Sequence, residues 1–154
     1  MKFPRAIRLD ESDAQVYDRP ATPGEWAVPG SFVFVDKEPA EVEGKLLQAF
    51  GHGFLGTETF GWSTLVEVAE ISDSEYQGVI DRLATHFVQN YGAPDITAAL
   101  PAAREEASFA ASICDHDVHT LLMLEREAVR LNAADHSKIK LWTVAEDEDT
   151  GGPR

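Results

Sequence analysis

The sequence predicts an α+β fold: a single domain in which a mostly antiparallel sheet carries two or three helices on one face. Three observations lead there. A sharply marked helix begins after Ser72, β-rich runs lie before and after it, and the last two runs flank a polar stretch as the arms of a hairpin do. With 154 residues, 44% hydrophobic and 9% aromatic, the chain is long enough for one real core and short for two. The domain is expected to span residues 1–144. The tail that follows, "AEDEDTGGPR" (145–154), is acidic and poor in apolar side chains, so disorder is expected there.

Taken in order, "FPRAIRL" and "AQVY" are expected as an edge pair of strands, and "RPATPGEWAVPG" as a loop. "SFVFVD" (31–36) follows a Pro-Gly turn as a nearly continuous apolar run, which predicts a central strand covered on both faces. "AEVEGKLLQAF" (40–50) predicts a helix with Leu46, Leu47 and Phe50 on one side, and "GWSTLVEVAEI" (61–71) a strand leading into the next helix. That helix, 73–91, is the best defined. Ser72 and Glu75 have the spacing of a capping box, Ile71 and Tyr76 that of a hydrophobic staple, and Gly92 with Pro94 ends the element. A second helix is expected over 101–113, with Pro101 in its first turn and with Ala103, Ala107 and Ala110 allowing close approach to the sheet; "APDITAA" before it forms a separate turn of helix. "HTLLMLERE" and "SKIKLWTV" are expected as a hairpin because Lys138, Ile139, Lys140 and Leu141 alternate, although "LLMLEREAVRL" has the propensity of a helix as well. Strand order does not follow from the sequence.

"GHGFLGTETFGW" (51–62) carries the G-x-G-x-x-G spacing of a dinucleotide-binding turn. Such a turn works only where a strand precedes the glycines and a helix starts within them, so that free N–H groups meet the phosphates. Here helix comes first and strand follows, which excludes that use. The glycines are expected to serve conformation, one of them ending the helix with positive φ, while Phe54, Leu55, Phe60 and Trp62 plug the core edge or a pocket. His52, between glycines, is expected to be exposed, and His86 to sit half-buried on the flank of its helix. His52, Phe54, Phe60, Trp62 and His86 are the candidate pocket or interaction residues.

"CDHDVH" gathers Cys114, His116 and His119 near the end of the second helix. Zinc wants about four such ligands in a tetrahedron, and C-x-H-x-x-H is not an established zinc spacing. A structural reading as a helix end is favoured, with zinc at Cys114, His116 and His119 as the alternative. No nucleophile elbow is present, and Asp115 and Asp117 are expected to raise the Cys114 pKa and blunt its reactivity. No catalytic residue is therefore assigned, and no cofactor is expected outside the zinc alternative.

Thirteen Lys and Arg against 27 Asp and Glu give a net charge of −14, which repels nucleic acid and anionic membranes. No run approaches the ~20 apolar residues of a membrane helix, the N-terminus lacks a signal-peptide core, and Cys114 is the only cysteine. A protein of the cytoplasm is expected.

The runs "GHGFLGTETFGWSTLV", "THFVQNYGAPD" and "SFAASICDH" resemble a family of small bacterial proteins described only as a domain of unknown function. The resemblance covers roughly residues 30 to 145 and implies no activity, cofactor or catalytic residue. The functional expectation is a non-catalytic accessory or protein-interaction domain with a protein partner, a homodimer being one form. A metal-binding factor or metal-dependent enzyme is the alternative.

Overall fold

The computed structural model describes residues 1–8, 12–34, 43–126 and 139–144. The elements are β1 (Lys2–Ile7), α1 (Ser12–Val16), β2 (Ala27–Val28), a 3-10 turn (Ser31–Phe34), α2 (Gly44–His52), β3 (Phe54–Gly56), β4 (Trp62–Ser63), β5 (Leu65–Glu70), α3 (Asp73–Asn90), α4 (Ile96–Ser112), β6 (Leu121–Arg126) and β7 (Ile139–Val144). They form an α+β domain with two antiparallel sheets, one in the order β1-β5-β6-β7 and the other β2-β3-β4. The expected hairpin is present: β6 and β7 pair residue for residue from Leu121↔Val144 to Arg126↔Ile139.

The expected strand 61–71 is two strands. Trp62 and Ser63 pair with β3, Leu65 to Glu70 pair with β1, and the chain passes from one sheet to the other at Thr64. The Ser63 hydroxyl holds the crossing, its one proton shared between the Ile7 carbonyl at 3.1 Å and the Leu65 carbonyl at 2.7 Å. Val66 and Val68 are fully buried with Leu122, Leu124, Ile113 and Cys114 in one core cluster. A second cluster joins α3 and α4 to Phe3, Trp26, Phe34 and Phe50.

α3 begins as expected. The Ser72 hydroxyl accepts from the Glu75 backbone N–H, the Glu75 carboxylate accepts from the Ser72 backbone N–H, and Gly92 takes φ +80° just past the end. α4 corrects the expectation: it starts at Ile96, five residues earlier, because Asp95 is a working N-cap that accepts from Ala98 N–H at 2.8 Å. Pro101 lies inside the helix, and "APDITAA" belongs to the same element. The alanine stripe is buried as expected, but it packs mainly against α3, with β1 and β2 as lesser neighbours.

Two further expectations fail. Residues 31–34 are a 3-10 turn, not a central strand, because Gly30 at φ +76° reverses the chain and Val33 N–H returns to the Gly30 carbonyl at 3.2 Å; Ser31 and Phe34, three apart, then both point inward. "AQVY" contributes to α1 and to the buried Tyr17, so it forms no edge pair with β1. That edge is covered by the "RPATPGEWAVPG" segment: Arg5 bridges Trp26, Ala6 N–H donates to the Glu25 carbonyl at 2.8 Å, and Gly24 N–H to the Ala6 carbonyl at 2.7 Å. The start of the expected helix 40–50, residues 35 and 36 and the tail 145–154 lie outside the described residues.

Candidate functional site

The glycine run has the expected order, α2 and then β3, so no helix N-terminus faces it. The reason for its glycines differs from the expected one. None of them has positive φ. At Gly53 and Gly56 another group leaves no room: a Cβ on Gly53 would stand 2.7 Å from Trp62 Cε3 and 2.9 Å from the Ala49 carbonyl oxygen, and one on Gly56 would strike the Glu25 carboxylate, whereas one on Gly51 would meet open space. Phe54 and Leu55 are core residues and Trp62 is buried against Phe34. Positive φ falls instead on Phe60, at 57°.

Phe60 and His86 are brought together. Their rings stack 3.7 Å apart with an interplanar angle of 4°, and Phe32 and Tyr91 complete a half-exposed aromatic cluster. His86 is half-buried as expected, and burial first, then Arg19, holds its pKa below the ordinary value, which keeps it neutral at pH 7. His52 is not in this cluster, and it is half-buried where exposure was expected. Its Nδ1 lies 3.4 Å from the Leu124 carbonyl, and the ring lines a separate cleft with Arg8, Asp13, Gln48 and Thr64.

Cys114, His116 and His119 are dispersed. Cys114 is a buried free thiol, and burial raises its pKa to about 12; the flanking aspartates, expected to do this, are not the cause, and Lys2 acts in the opposite direction. The His116 carbonyl accepts from Lys2 Nζ at 2.7 Å. His119, at φ 78°, turns outward to the Glu67 carboxylate at 2.9 Å, which Arg5 also meets at 2.7 Å. Burial would raise the Glu67 pKa, but the bonds from His119 and Arg5 outweigh it and the net shift is downward. Among the described residues, no three His, Cys, Asp or Glu side chains are gathered as a metal ion requires.

The most heavily bonded charged groups are ones the sequence did not single out. Arg126 is 4% exposed. Its Nε donates to Ser31 Oγ at 2.8 Å, its Nη1 to the carbonyls of Ala49, Phe50 and Gly53 at 3.3, 2.7 and 3.3 Å, and its Nη2 to the Pro29 carbonyl. Burial pushes its pKa down to about 10, opposed by Glu106 and Tyr17, so the guanidinium stays charged. Glu25, 3% exposed, accepts from Thr22 N–H at 2.7 Å, Glu58 N–H at 2.8 Å, Thr59 N–H at 2.9 Å and Thr59 Oγ1 at 2.7 Å, and so shapes the "GTETF" loop. A lone Glu in a Pro- and Gly-rich stretch and an Arg at a strand end gave no signal of these roles, because every partner but two hydroxyls is backbone.

No helix among the described residues is long and apolar enough to cross a membrane. Comparison with curated proteins and with solved structures returns no match. A family model described as "Family of unknown function (DUF6505)" does match, over residues 1–140, extending the sequence resemblance back to the N-terminus. A chain matched along nearly all of its length belongs to that family, DUF6505.

Proposed function

We propose that the chain is a non-catalytic accessory protein of the bacterial cytoplasm that acts by pairing through the outer edge of β7, the last strand of its sheet among the described residues, with a second copy of itself as the partner. One observation carries this reading. β7 pairs with β6 over six residues without a bulge, contains no proline, and presents Trp142 at 54% and Leu141 at 37% exposure. Sheet edges are normally blunted by charge, proline, bulges or covering chain. The opposite edge, β1, has Pro4 and the 24–26 segment for that purpose, whereas among the described residues "IKLWTV" has only Lys140.

The strand is suited to its own copy. An antiparallel two-fold pairing centred on Trp142 sets Lys140 opposite Val144 and Leu141 opposite Thr143, so no like charges face each other. Two copies at −14 each repel over most of their surface, and β7 is a place where neither contributes acid. The buried free thiol of Cys114 suits a reducing compartment. Light scattering after size exclusion tests the pairing. A dimer is expected at about 100 μM, a hundredfold above a micromolar dissociation constant. Trp142→Glu, which brings two carboxylates together at the centre, should leave a folded monomer. A wild-type monomer at that concentration overturns the reading.

A further inference from the structure

We propose that the cleft beside α1 binds a small zwitterion of the free amino-acid class, its ammonium on Asp13 and its carboxylate on Arg8. This site is separate from the β7 edge and does not rest on it. The cleft has a volume of about 320 Å³, within the ~300–1,000 Å³ of small-molecule sites. Ile7, Val16, Leu65 and Met123 give it an apolar lining, into which Arg8, Asp13, Gln48, His52 and Thr64 bring polar groups.

Two opposite charges line it with most of their bonding capacity unspent. Asp13 is 7% exposed, yet its carboxylate accepts one long bond, from Thr64 N–H at 3.4 Å. An ionised carboxylate has about four acceptor sites, so one long bond leaves most of them free for a ligand in the cleft. Arg8 donates through Nη2 to the Ala21 carbonyl at 2.6 Å, and its buried Nε has no partner. Among the described residues the two form no salt bridge, with each other or with any other group.

The charge pattern selects the ligand. A simple anion drawn to Arg8 would share the small cleft with Asp13, and a simple amine drawn to Asp13 would share it with Arg8. A molecule carrying both charges close together satisfies both side chains, and the apolar lining takes its side chain. Gln48 and His52, one turn apart on α2, supply further hydrogen-bonding groups beside it.

Calorimetric titration of the full chain with L-leucine and L-methionine tests this, with N-acetyl-L-leucine and L-leucinamide as probes that each lack one charge. Saturable binding of a free amino acid is expected, weakened roughly tenfold or more by either cap. Asp13→Asn should erase the preference for the free over the acetylated amine, and Arg8→Gln the preference for the acid over the amide. Failure of both amino acids to bind at about 10 mM, well beyond a millimolar dissociation constant, overturns the proposal. Equal binding of the capped forms to the wild-type chain overturns it as well, and that comparison needs no variant to fold.

Discussion

Two pairs of charged side chains, Arg126 with Glu25 and Arg8 with Asp13, are used in opposite ways; Arg8 is half-buried and the other three are buried. Around Arg126 and around Glu25 every side-chain nitrogen and oxygen is bonded to something fixed, among them carbonyls at the end of α2, the Ser31 hydroxyl and the N–H groups of the loop after β3. Around Arg8 and Asp13 the same kinds of group hold one short bond and one long one. Burial is similar for the two carboxylates, at 3% and 7% exposure, so burial alone does not distinguish a structural charge from one held in reserve. The number of bonds does. A buried ion with all its partners in the chain is part of the framework, and one with spare capacity beside a cleft is directed at something outside the chain.

Stability measurements can break this contrast. The largest effect is expected at Arg126. Arg126→Met strands the carbonyls of Pro29, Ala49, Phe50 and Gly53, and should cost about 3–5 kcal/mol in urea denaturation. Arg126→Lys should recover little, since a point charge cannot serve four acceptors spread around a planar fork. A loss below about 1 kcal/mol would place Arg126 among ordinary core side chains.

Glu25 comes next. Glu25→Gln turns one acceptor into a donor that faces N–H groups, and should cost roughly 2 kcal/mol. Amide exchange at Glu58 and Thr59 reads the same event locally, and unchanged protection there would mean that the loop keeps its shape without the carboxylate.

The smallest effects belong to the cleft. Arg8→Gln and Asp13→Asn should each change stability by less than about 0.5 kcal/mol, with Asp13→Asn neutral or slightly stabilising because a buried amide costs less than a buried ion. A loss near that of Glu25→Gln would make Asp13 a framework charge after all and remove the distinction between the two settings.

Much of the fold was legible from local signals. The capping box at Ser72 and Glu75, the Gly92 stop and the alternation of Ile139 to Leu141 each rest on neighbours in sequence, and each was read correctly. Reading failed where a distant group decided the outcome. Gly53 and Gly56 answer to Trp62 and Glu25 rather than to their own φ, and the 3-10 turn at Ser31 is held by Arg126 while Glu106 takes the Gly30 N–H at 2.9 Å. Pro101 misled because a proline signals a first turn only when no better cap stands upstream, and Asp95 is that cap. Of the candidate site, the Phe60–His86 contact joined two residues singled out from sequence, and His52 marked the cleft, but Arg8 and Asp13 carried no pattern of their own.

The bonds of Arg126 span 73 to 97 positions along the chain. Such a closure is expected late in folding, because the entropy of a long loop must be overcome before any of these bonds can form. The turn at Ser31, the end of α2 and the bend at Gly53 are therefore secured by a residue that is synthesised long after them. A chain shortened before residue 126 retains the sequence of those segments and loses the group that holds them, so truncation from the C-terminal side should loosen the N-terminal half first.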